Sequence, residues 1–112
     1  MKEYHKLVRD RIPEIIRDSG KECACTVLSD EAYRTMLDRK LQEELNEYLE
    51  SGDPEELADL LEVIRAAALS RGSSIGQVEE IRARKAAQRG GFEKRICLEK
   101  VWDASDSPEA GA

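Results

Sequence analysis

Two acidic pairs, Glu44-x-x-Glu47 and Glu56-x-x-Asp59, stand on either side of a short Ser51-Gly52-Asp53-Pro54 turn. Residues three apart on a helix share a face, so each pair presents two carboxylates together. If the turn folds the chain into an antiparallel helical hairpin, Glu47 comes level with Glu56 and Glu44 with Asp59, and four carboxylates converge. Anions that close must take up protons or hold a cation. Oxygen-only donors suit a hard ion, which makes magnesium the expected one and manganese a substitute. Each pair also has a plainer reading. Glu56 sits three after Asp53, where a capping-box glutamate belongs, and a chain that is 38% charged carries acidic i,i+3 pairs on solvated faces.

The elements that must position these groups follow from the apolar spacing. Over positions 31–50, Tyr33, Leu37, Leu41, Leu45, Tyr48 and Leu49 recur at helical steps, with Ser29 and Asp30 as cap candidates. At about 100° per residue, Lys40, Glu44 and Glu47 fall on one flank of that stripe, bordering a groove. Asp53 caps the next helix and Pro54 fits its first turn. Its expected buried stripe is Leu57, Leu60, Leu61, Ile64, Ala67 and Ala68, ending at Arg71-Gly72; Val63 and Leu69 lie off it as a second apolar surface.

A brief helix starts at Asp10-Arg11-Ile12-Pro13 and stops at Ser19-Gly20, with Ile12, Ile15 and Ile16 on one side. Ser74 with Gln77 opens a fourth, running through Val78, Ile81 and Ala86 to the Arg89-Gly90-Gly91 stop. Positions 22–28 and 95–102 are small, β-branched or alternating, and read as short strands able to pair. The expectation is a mainly α helical bundle with two short peripheral strands. It occupies one domain over residues 1–103, and the tail 104–112 is expected to be disordered.

Composition narrows the partners. At 112 residues, with only 4% aromatics, a monomer has little bulky apolar material, so a homo-oligomer, dimer or tetramer, is expected to complete the core. Eighteen basic against 24 acidic residues, a net charge of -6, disfavour non-specific binding to nucleic acid. No apolar run reaches the ~20 residues of a membrane span, and the start Met1-Lys2-Glu3-Tyr4-His5-Lys6 lacks the apolar stretch of a signal peptide, so a cytoplasmic location with no membrane partner is expected. Cys23, Cys25 and Cys97 read as reduced thiols, and His5 as a surface residue. Tyr4, Tyr33, Phe92 and Trp102 are candidates to stack on a base, with core packing the default for Phe92 and Trp102.

The order Lys6-Leu-Val-Arg-Asp-Arg-Ile-Pro13, Lys40-Leu-Gln-Glu-Glu-Leu-Asn-Glu47, Glu55-Glu-Leu-Ala-Asp59 and then Lys85 to Phe92 resembles the MazG-like, all-α nucleoside triphosphate pyrophosphohydrolases, near their phosphoribosyl-ATP pyrophosphohydrolase-like branch. The likeness runs from about Tyr4 to about Leu98. It implies an all-α NTP pyrophosphatase-like helical bundle, and magnesium-dependent hydrolysis of a nucleoside triphosphate between its α and β phosphates. That gives a monophosphate and pyrophosphate, as in the house-cleaning of nucleotide pools. It also implies Glu44, Glu47, Glu56 and Asp59 as metal ligands, with Glu43 as an extra ligand or base. A proton from the attacking water would go to Glu43 or Glu44. Lys40, Lys85, Arg89, Arg9 and Arg11 are the candidates for binding phosphate, Lys85 first. Lys40 has an equal reading as a weak surface ion pair with Glu44, and Arg9 and Arg11 as solvated partners of Asp10 or Glu14. The connection between Glu47 and Glu56 is shorter than is usual in MazG itself.

Two other functions fit the same residues. One is a pyrophosphohydrolase of a phosphoribosyl nucleotide, whose metal motif would look the same. The other is a non-catalytic helical interaction module that docks a partner through Val63 and Leu69.

Overall fold

Local chemistry at the helix ends sets the element order. The Ser29 hydroxyl accepts from the Ala32 N–H at 3.2 Å and starts α2 (Asp30–Ser51). That helix ends at Gly52, whose φ of 66° lies in the left-handed region that a side chain resists, and whose N–H returns to the Tyr48 carbonyl at 2.7 Å. Asp53 follows at once as the next cap, its carboxylate accepting from the Glu55 N–H at 2.9 Å, and Pro54 opens α3 (Pro54–Ser70). With only Gly52 and Asp53 between them, the two helices must run antiparallel side by side. α1 (Ile12–Asp18) precedes the hairpin, and α4 (Ile75–Arg89) follows it, started by the Ser74 hydroxyl accepting from the Gln77 N–H at 3.1 Å.

This architecture is that of a computed structural model, which describes residues 1–106. Among the described residues the protein is mainly helical, as expected. The chain divides into two units, Met1–Glu80 and the part from Ile81 onward. The first holds α1, the hairpin and the beginning of α4. The second holds the remainder of α4 and an irregular segment. Asp106 donates its N–H to the Asp103 carbonyl at 2.8 Å in a closing turn, and the rest of the expected disordered tail, 107–112, lies outside the described residues.

The first unit is organised by the packing of α2 on α3. Its buried apolar residues are Leu37, 2% exposed, and Val63. Val63 therefore belongs to the core and not to a second surface. Leu57 and Leu61, expected in the buried stripe, are exposed instead. The seam of α3 runs along Glu56, Asp59, Val63 and Ala67, rotated from the line that apolarity alone suggests. Arg71 braces the far end against Asp38 at 3.7 Å.

The two expected strands do not form; among the described residues no β-ladder is present. A two-stranded ribbon is marginal unless it covers an apolar surface, and β-branched residues favour strands only where such a surface exists. Val27, Ile96 and Leu98 are all exposed. Arg95 takes a φ of 59°, which turns the chain out of the extended region where the second strand should begin. Phe92 and Trp102 are likewise exposed, not packed into a core.

Truncating Leu37, the most buried apolar side chain among the described residues, tests this account. Leu37→Ala should lower the stability of the protein by about 3 kcal/mol in urea unfolding, whereas Val27→Ala should change it by less than about 0.5 kcal/mol.

Candidate metal centre

The hairpin brings Glu44 to Glu56 and Asp59, but Glu47 groups with Glu43 and Glu44 of its own helix and not with Glu56, so the four carboxylates do not share one group. Oxygen atoms of Glu44, Glu56 and Asp59 lie within 4.8 Å of one another, and so do those of Glu43, Glu44 and Glu47. Glu44 belongs to both groups. Glu56 is free to take part because the capping-box contact is not made: the Asp53 N–H goes to the Ser51 hydroxyl at 3.1 Å.

Among the described residues Glu44 is also the one buried charged side chain, 6% exposed. It was expected on the flank of α2, bordering a groove; it faces the α3 seam instead. Seven residues are close to two full turns, so Glu44 stands on nearly the same line as Leu37 and points where Leu37 points. One oxygen, Oε1, is 3.4 Å from Lys40 Nζ. The other, Oε2, is buried and has no hydrogen-bond partner. An unpaired buried carboxylate oxygen is costly, and native proteins carry few without a reason. Burial first, then the neighbouring Glu47 carboxyl, push the Glu44 carboxyl above its ordinary value of 4.5, and Lys40 opposes them.

Three cationic side chains meet this cluster. Lys40 Nζ reaches Glu43 at 3.3 Å, Arg9 Nη2 donates to Asp59 at 2.7 Å, and Lys6 Nζ lies 3.9 Å from Glu43. The two groups hold five carboxylates against these three cations, so the cluster is net negative. Lys6 was not among the candidates from sequence; the signal that could have found it is its place in the same Lys6-Leu-Val-Arg9 run. Arg11 does not reach the cluster and pairs with Glu14 at 3.2 Å, its plainer reading. Lys85 and Arg89 lie in the second unit, both exposed and one helical turn apart on α4.

Other features of the chain offer less. An open cleft lined by Asp30, Tyr33, Arg34, Ala66, Leu69 and Ser70 sits toward the N-terminal end of α2, away from the acids and with a single carboxylate. Cys23, Cys25 and Cys97 are free thiols. Partial burial and the Cys25 thiol push Cys23 up, away from the reactive thiolate, and His5 is exposed beside Glu3. Among the described residues no helix is long and apolar enough to cross a membrane.

Comparison with known proteins adds little chemistry. No family model and no solved structure matches the chain. It is similar to an uncharacterized protein of Mycolicibacterium smegmatis, 55% identical over 42 residues, which cover 38% of this chain and 43% of the relative. The matched stretch thus spans less than half of either protein.

The raised Glu44 carboxyl has a measurable sign. The folded protein holds this proton more tightly than the unfolded chain does, so metal-free protein should lose stability as pH climbs from 4.5 through the raised value. Thermal unfolding in EDTA across that range should show the decline, and Glu44→Gln should flatten it.

Proposed function

We propose that the protein is a magnesium-dependent nucleoside triphosphate pyrophosphohydrolase that cleaves between the α and β phosphates. The observation that carries the reading is the buried Glu44 carboxylate, with one oxygen unpartnered, at the junction of two carboxylate groups. A cluster of exposed acids would be ordinary. A buried carboxylate oxygen without a hydrogen-bond donor is a hard oxygen ligand of the kind a divalent ion takes. The resemblance in the order of acidic and basic motifs supplies the substrate class.

The residues present fit magnesium or manganese: every donor is a carboxylate oxygen, the type these ions prefer. Glu44, Glu56 and Asp59, with Glu47 beside them, would hold the metal. Bound there, it would neutralise polyphosphate charge and acidify water. Glu43, with Lys40 at 3.3 Å and Lys6 at 3.9 Å, would take the proton from the attacking water. As that oxygen bonds to the α phosphorus, the bond from the phosphorus to the bridging oxygen breaks and pyrophosphate leaves. Lys40, 3.3 Å from Glu43 and with its side chain only 16% exposed, would steady the departing charge.

The hairpin has a second side. Leu45 and Leu49 on α2, and Leu57 and Leu61 on α3, lie about 80–160° round the helices from the core-facing line, on the side away from Glu43 and Glu47. All four are exposed. An apolar strip of this kind favours a second copy of the chain, which would complete the small core of the first unit. The interaction-module alternative is weakened, because Val63, one of its two docking residues, is buried.

The test is release of pyrophosphate from a panel of ordinary and modified nucleoside triphosphates and phosphoribosyl nucleotides. Activity should require magnesium, vanish in EDTA, and fall about 100-fold or more in Glu44→Gln and Asp59→Asn variants that keep their helical circular dichroism. No pyrophosphate from any member of the panel would refute the proposal.

A further inference from the structure

The segment ahead of α1 contains no helix, yet it is tied to the hairpin by charge. Arg9 Nη2 donates to Asp59 Oδ1 at 2.7 Å, across 50 positions of chain. Three residues earlier Lys6 approaches Glu43, and both Lys2 and Lys6 stand over the Tyr4 ring, at 5.3 and 5.6 Å from its centre. Leu7 is half-buried between these two anchors. The strap thus carries cations to carboxylates of both acidic groups.

We propose that this N-terminal strap is the acid cluster's internal counter-ion, and that Arg9 and a divalent cation exclude one another at Asp59. The proposal rests on the divalent-site reading given above. Asp59 shares its group with the buried Glu44, whose unpartnered Oε2 marks where positive charge is lacking. A guanidinium in contact with Asp59 Oδ1 would stand beside any cation gathered by the same three carboxylates, and like charges at that range repel strongly. The pair is also inexpensive to break. Both side chains are substantially exposed, 57% for Arg9 and 41% for Asp59, and exposed pairs contribute little. A doubly charged ion with access to Glu44 and Glu56 as well therefore wins the exchange and frees the strap. Without metal, Arg9 limits the repulsion among the acids and holds the hairpin's acidic side closed.

Mn2+ binding to the full-length protein, followed by the electron paramagnetic resonance of free Mn2+ with no nucleotide present, tests the exchange. Arg9→Gln should bind Mn2+ about two- to fivefold more tightly than wild type. Arg11→Gln makes the same change in net charge two residues away, but Arg11 pairs with Glu14, so this variant should stay closer to wild type. Equal affinity of Arg9→Gln and wild type would overturn the proposal, and so would an equal gain in both variants, which would reduce it to net charge. Failure of wild type to bind Mn2+ at all would remove the divalent site itself, and the exchange with it.

Discussion

A carboxylate at the centre of a helix–helix seam is the constraint around which the rest of this protein is arranged. Burying an ionised group is unfavourable unless charge and hydrogen bonds compensate it, and Glu44 receives only half of that compensation from Lys40. Its neighbours do not relieve it; Glu47 and the acids of α3 add negative charge. A seam built for stability alone would place leucine there, one repeat on from Leu37. The side chain that stands in its place weakens the hairpin, and such local conflicts concentrate where proteins act.

The hairpin separates two kinds of surface. On one side of the α2–α3 seam stand the acids with Lys40 and the N-terminal cations; on the other stand Leu45, Leu49, Leu57 and Leu61. Because both helices turn the same way about antiparallel axes, residues on corresponding flanks of the two meet on the same side, and charge and apolarity do not mix. The small core of the first unit and its uncovered leucines are two views of one shortage of buried apolar area.

Much of this was legible in the sequence because it is local. The caps Ser29, Asp53 and Ser74 and the stop at Gly52 depend on neighbours a few residues away, and the four helices stand where those signals place them. The convergence of Glu44 with Glu56 and Asp59 was legible too, since a two-residue connection leaves little freedom. What failed was rotation and partnership. Hydrophobicity put the seam of α3 along its leucines, whereas packing selected Val63, the smaller residue, beside the acids. Hydrophobicity likewise placed Glu44 on a flank, because a glutamate carries no apolar signal to mark its burial. The strands and the packing of Phe92 and Trp102 needed a surface to cover, and composition does not say whether one exists. Lys6 went unnoticed because its partner is far along the chain.

The brevity of the Gly52-Asp53 connection makes chain length between Glu47 and Glu56 decide how the acids face one another. With the packed seam holding both helices, one residue inserted into either of them within that interval would swing one acidic pair about 100° round its axis and move it about 1.5 Å along. The composition would scarcely change and the helices would survive, yet the carboxylates would no longer face a common point. In this stretch the number of residues sets whether the two acidic pairs face each other.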